Sequence, residues 1–138
     1  MASMVLYDAY LTVGGNDLSN HVRSITIDAG TTMQDDTAMG DTFQSNAPGL
    51  ATWSISVEFL QDYAAGEVDA ALSPLLGVAA TPAVLVIRPT SAAMGTANPR
   101  WTGTGVLESY SPVAGSVGDQ AMASATWQAA SVLLRETS

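Results

Sequence analysis

The chain has no cysteine, a single histidine and only two phenylalanines among its 138 residues. Lysine is missing as well, because the four cations are all arginines: Arg23, Arg88, Arg100 and Arg135. Without cysteine there is no disulfide and no thiolate chemistry, and nothing marks a redox compartment. Four arginines against 13 acids leave a formal net charge of −9. Such a balance repels a phosphate backbone, and the scattered arginines form no basic cluster, which disfavours sequence-independent nucleic-acid binding. Charge of either sign is sparse: 12% of residues, about half the usual fraction of roughly 25%. No stretch approaches the roughly 18 apolar residues of a membrane span, so no membrane binding is expected. The start, MASMVLYDAYLTV, lacks a basic segment and carries Asp8 inside its apolar run. It is not expected to be a signal peptide, and synthesis in the cytoplasm as a soluble chain is expected.

What is present suits one β-rich domain spanning residues 1–138, with 47% hydrophobic residues to build its core. Serine, threonine and glycine take over part of the covering usually done by charges, and association with other copies would cover more. Leu6 to Val13 alternates around Tyr7, Ala9, Leu11 and Val13 and ends at Gly14-Gly15-Asn16. That turn signal predicts an N-terminal hairpin, with Val22 to Asp28 as the second strand. Trp53, Ile55, Val57 and Phe59 alternate with Ser54, Ser56 and Glu58, the clearest strand in the chain. Ala83 to Arg88 is a continuous apolar run, expected as a buried strand. Trp101 to Tyr110 alternates, and a last long strand is expected from about Gln120 to Leu134, bent near Ala129-Ala130. The one helix, about residues 66–76, carries Val68, Leu72, Leu75 and Leu76 on one stripe, with Gly77 as its stop. Pro74 should distort its last turn or end it near Ser73. The expected fold is therefore mainly β: an antiparallel sandwich or barrel of six to seven strands with one short flanking helix.

Between Gly30 and Gly49 the pattern predicts a long loop, beyond the roughly 12–15 residues that compact domains usually tolerate without a function. It holds Met33, Met39 and Phe43, with Leu50 at its exit. Apolar side chains in such a place need a partner surface, and a neighbouring copy of the same chain is the expected one.

Catalytic chemistry is hard to assemble from this inventory. His21, after Ser19-Asn20, is expected as an ordinary surface residue, and no Gly-x-Ser-x-Gly elbow accompanies it. Asp35, Asp36 and Asp41 crowd together but lack the alternating ligands and distal glutamate of a calcium loop. Gly103-Thr104-Gly105 lacks the third glycine of a dinucleotide turn and sits in a strand, where small residues permit close packing. No carboxylate pair stands out for glycoside hydrolysis. No catalytic residue, cofactor or metal is expected, and an enzyme is not expected.

Taken in order, several segments resemble one family. They are Gly15-Asn16-Asp17-Leu18-Ser19, Thr37-Ala38-Met39-Gly40-Asp41, Gly49-Leu50-Ala51-Thr52-Trp53-Ser54-Ile55-Ser56, the corner Phe59-Leu60-Gln61-Asp62-Tyr63, Val68-Asp69-Ala70-Ala71-Leu72, and Val86-Ile87-Arg88-Pro89. Together they look like a tail tube (major tail) protein of long, non-contractile-tailed bacteriophages, across nearly the whole chain. The resemblance implies a structural virion protein whose six copies close a ring around a continuous inner β-barrel, with rings stacked into a hollow tube. It implies an acidic lumen for passage of DNA and of a tape-measure protein, and contacts with tail-tip and terminator proteins. Residue by residue it gives Met39, Gly40, Asp41 and Phe43, with Met33, to the inter-subunit loop. Trp53, Phe59, Tyr63 and Leu72 become fold anchors. Two rivals stand beside it: the tube of a phage-derived contractile injection or type VI secretion machine, and a monomeric β-sandwich that binds a carbohydrate or receptor.

Overall fold

The computed structural model describes Leu6, residues 8–76 and residues 82–137. Eight strands, one α-helix and two 3-10 turns follow in chain order. They are β1 (Tyr10–Val13), β2 (Asn16–Asp17), a 3-10 turn (Ser19–His21), β3 (Val22–Asp35) and β4 (Asn46–Leu60). Then come α1 (Val68–Leu72), a 3-10 turn (Ser73–Leu75), β5 (Ala83–Arg88), β6 (Arg100–Ala114), β7 (Met122–Ala129) and β8 (Leu134–Glu136). The strands form one antiparallel sheet in the order β2-β1-β5-β6-β7-β4-β3, and β8 pairs with the start of β6.

The glycine turn forms as its residues dictate. Gly14 and Gly15 take φ of +57° and +90°, which pairs Val13 with Asn16 in a two-residue hairpin. The partner is not the expected one, however. β2 ends after two residues, and Val22 onward crosses to the far end of the sheet order to pair with β4. Hairpin logic places the next apolar segment beside the first; here Leu18, fully buried, drops into the core and carries the chain away.

One face of the sheet is apolar and encloses the core. Trp53, Ile55, Val57 and Phe59 of β4 meet Leu11 and Val13 of β1, Leu85 and Ile87 of β5, and Trp127 of β7. β5 is not buried on both sides as its apolar run suggested, because Val84 is half exposed while Leu85 is covered. Val68 and Leu72 of α1 close one end of the core. As Pro74 led one to expect, the helix ends early, at Leu72, and tightens into a 3-10 turn with Pro74 inside it. Proline cannot donate to the helical ladder, which accounts for the change. Gly77, the expected stop, lies outside the described residues, as does Tyr7. The last strand divides where a bend was expected. Ser131 Oγ accepts the Thr104 N–H at 3.0 Å and the Ala130 N–H bonds the Thr104 carbonyl at 2.9 Å, so β7 gives way to β8 along the same side of β6.

Gly103 shows why β6 needs a small residue. A Cβ there would lie 2.7 Å from Trp53 Cζ2 and 3.3 Å from Leu133 Cδ1. Trp53 cannot easily yield, since its Nε1 donates to the Ser131 carbonyl at 2.7 Å. Gly103→Ala should therefore cost about 1–3 kcal/mol through overpacking, whereas Gly30→Ala, with no atom within 4 Å of the added methyl, should cost nothing measurable. Urea unfolding of the two variants checks this pair.

Candidate inter-subunit surface

β3 and β4 pair from Val22↔Phe59 to Asp35↔Asn46, but β7 accompanies β4 only from Ser54 to Leu60. Beyond Trp53 the two strands leave the sheet alone as a ribbon, reaching about 20 Å for the six residues from Gly30 to Asp35. The segment expected as a loop from Gly30 to Gly49 is thus half paired strand, with its irregular part confined to the tip, residues 36–45. Pro48 and Gly49 concealed this. They sit where the register slips between Thr31 and Met33, an irregularity that tolerates proline. A Cβ on Gly49 would lie 3.0 Å from the Thr32 carbonyl, so the close approach of the strands asks for glycine.

The tip is built from its own polar groups. Asp35 Oδ1 accepts the Thr37 N–H at 2.9 Å, and Thr37 Oγ1 accepts the Ser45 N–H at 2.7 Å, closing the neck. Hydrogen bonding from Thr37, first from its side chain and then from its backbone N–H, holds the Asp35 carboxyl below its ordinary value. The Asp41 N–H returns to the Ala38 carbonyl at 3.1 Å while Asp41 Oδ2 accepts the Ala38 N–H at 2.7 Å. Gly40 supplies the φ of +97° inside this turn. Gly40 and Asp41 therefore shape the tip, and Met39 and Phe43 supply its apolar surface. Their exposures of 104% and 86% mean that nothing in their own chain covers them. Met33 and Leu50 along the ribbon are exposed too.

At the opposite end of the sheet, Leu60 pairs with Met122 and the chain turns into the corner. Gln61 Nε2 donates to the Pro112 carbonyl at 2.6 Å and to Tyr110 Oη at 3.0 Å. The Tyr110 hydroxyl donates to Asp69 Oδ1 at 2.9 Å, and the Tyr63 hydroxyl donates to the Pro112 carbonyl at 2.6 Å. Of the four expected anchors, Trp53, Phe59 and Leu72 lie in the core. Tyr63 keeps an exposed ring and holds through its hydroxyl alone. The end of β6 and the turn that follows it present Val113 and Val117 to solvent. Apolar groups thus stand uncovered at both ends of the sheet.

His21 departs from its expected role as an ordinary surface residue. Its side chain is only 20% exposed and its Nε2 lies 2.7 Å from Glu67 Oε2 and 3.9 Å from Asp62 Oδ2. These partners are far along the chain, so no local spacing announced them. Asp35, Asp36 and Asp41 form no such group with a metal-ligating neighbour among the described residues.

No family model matches the chain, and no curated protein matches it by sequence. Solved structures do share its fold. A chain of the native gene transfer agent virion aligns at TM-score 0.73 with 14% identity, covering 93% of this chain and 95% of that one. The tail of the empty gene transfer agent particle, refined with C6 symmetry, aligns at 0.65 with 14% identity over 83% and 81% of the chains. The SPP1 tail tube aligns at 0.73 with 14% identity, over 95% of this chain and 77% of that one. The PVC sheath–tube complex, an extracellular contractile injection system in its extended state, aligns at 0.69 with 13% identity over 99% and 93%. The described chain has the fold these structures share, which bears out the likeness drawn from its ordered segments.

Burial pushes the Tyr110 phenol up, with the bond from Gln61 opposing and Asp69 adding to the rise, to about 12 from an ordinary 10.0. A raised phenol supports folding fully below its unfolded value and loses that support as pH climbs through the folded one. Wild-type stability should therefore fall between pH 10.0 and about 12 more steeply than that of Tyr110→Phe. Denaturant midpoints of both proteins across this range check the difference.

Proposed function

We propose that this chain is a structural subunit of a tail tube: copies close into rings, the rings stack, and the hollow product belongs to a phage-like particle. The observation that carries the reading is the β3–β4 ribbon, which leaves the sheet with Met33, Met39, Phe43 and Leu50 uncovered. A lone two-stranded hairpin is marginal in water, so docking on another subunit would bury the apolar groups that the ribbon's own subunit leaves uncovered. The edge of β3 adds support. This strand of 14 residues pairs only with β4 among the described strands. A long open edge invites further pairing, and closure into a ring removes it. The sharing of this fold with chains of tail and tube assemblies favours the same reading, and the tail solved with C6 symmetry favours six copies per ring.

In this reading the chain performs no catalysis. Two of its four cations are engaged within the subunit: Arg88 stacks 4.0 Å from the Tyr10 ring centre and Arg100 pairs with Glu136 at 2.7 Å. A surface left acidic suits a wall past which DNA and a tape-measure protein slide without sticking, with tip and terminator proteins sealing the ends. The contractile alternative rests on the 0.69 likeness to the sheath–tube complex and differs by requiring a sheath partner on the outer wall. The carbohydrate- or receptor-binding alternative requires a stable monomer.

Negative-stain microscopy of concentrated protein tests the proposal, with rings or filaments as the expected result. Met39→Ser with Phe43→Ser should leave stability within about 0.5 kcal/mol, as exposed positions allow, yet prevent rings and filaments. A wild-type protein that stays monomeric at every concentration, with completion partners added, overturns the tube reading. Assembly by the double variant removes the ribbon's role.

A further inference from the structure

We propose that His21, Asp62 and Glu67 form a site for a divalent transition-metal ion of the zinc class. One ligand atom from each residue lies within 4.8 Å of the other two. His21 Nε2 is 2.7 Å from Glu67 Oε2 and 3.9 Å from Asp62 Oδ2. One imidazole nitrogen with two carboxylate oxygens is a ligand set for zinc, cobalt or manganese, whereas calcium and magnesium prefer oxygen alone. Three protein ligands on a half-buried site leave a further position for water.

The backbone holds these groups in place before any ion arrives. Asp62 Oδ1 accepts the Ala64 N–H at 2.9 Å, which orients the carboxylate and leaves Oδ2 for His21. The Asp62 carbonyl accepts the Asp69 N–H at 3.1 Å, and the Ala64 carbonyl accepts the Glu67 N–H at 3.2 Å. The His21 N–H bonds the carbonyl of buried Leu18 at 3.0 Å. Among the described residues neither Asp62 nor Glu67 is paired with an arginine. Two carboxylates facing one imidazole leave negative charge that a dication would balance. The ligands come from three separate segments: the turn before β3, the corner after β4, and the residue that opens α1. A bound ion would tie the crossover between the two ends of the sheet to the helix that closes the core.

Calorimetric titration of chelator-stripped, tag-free protein with zinc chloride tests the site directly. One saturable equivalent is expected, together with a rise in Tm that grows with zinc concentration. Glu67→Gln and Asp62→Asn preserve shape and hydrogen bonding, so both should fold, and each should weaken binding at least about tenfold. His21→Asn should do the same. Asp28→Asn with Asp36→Asn, away from the site, should bind as the wild type does. Cobalt should give a visible absorption band in the wild type that is lost in Glu67→Gln. Absence of saturable binding, or binding unchanged in Glu67→Gln and Asp62→Asn, overturns the proposal and leaves an ion pair alone. These readouts use the dispersed subunit and are independent of whether it forms tubes.

Discussion

A chain that leaves β2 at Asp17 and re-enters the sheet at Val22 can span at most about 18 Å in those five steps. The two strands stand at opposite ends of a seven-strand path, which laid flat would separate them by about 29 Å at 4.8 Å per strand. The sheet must therefore curl until its ends approach, and the rest of the molecule follows from that. The concave face becomes the core, so each strand can afford a single apolar side. Leu18 sits fully buried in the crossover, and Ser19 Oγ accepts the Leu11 N–H at 2.9 Å, fastening the link to β1. Curling leaves one end of the core open, and α1 covers it with Val68 and Leu72.

Where one face is buried, the pattern of residues showed the structure. The period of two from Trp53 to Phe59 is the imprint of a sheet with a dry side and a wet side. Pro74 likewise marked the end of α1, because a missing donor acts locally. The ribbon escaped because neither of its faces is buried within the subunit, so Thr31 to Asp35 and Asn46 to Thr52 carry no alternation to find. Its Pro48 and Gly49 look like loop residues until the register irregularity that accommodates them is seen. The partner of β1 was misplaced because nearness in sequence normally decides hairpins, and here a two-residue strand ends the pairing. His21 escaped for a related reason: its carboxylate partners come from the far side of the β3–β4 hairpin.

The polar groups divide between shape and surface. Asp35 and Asp41 are spent on the tip of the ribbon, where they replace backbone partners that a turn cannot provide. Asp69 is spent on Tyr110 and Glu136 on Arg100. With Arg88 and Arg100 drawn into contacts of their own, the acids outnumber the exposed cations on the exterior, and no lysine is present to offset them. Repulsion between identical acidic subunits opposes association at long range and is screened by salt over roughly 8–10 Å. In the proposed assembly, contacts between copies would therefore have to be short-ranged, which exposed Met39, Phe43 and Leu50 could provide.

A paired ribbon is a better instrument for that contact than the floppy loop the sequence suggested. Ordering a backbone residue costs about 1–2 kcal/mol, and a loop that folds only on docking would draw that cost from its interface. Here the ladder from Gly30↔Thr52 to Asp35↔Asn46, the neck at Thr37 and Ser45, and the turn at Gly40 meet much of the cost within the subunit. What remains is to bury a few apolar side chains already aimed outward. Preorganisation of this kind raises affinity without enlarging the interface. It also fixes direction, since the ribbon leaves the sheet at one end while Val113 and Val117 stand at the other. In the proposed assembly the different uncovered surfaces at the two ends would let copies add head to tail, and contact between unlike surfaces generates rings or open stacks instead of two-fold pairs.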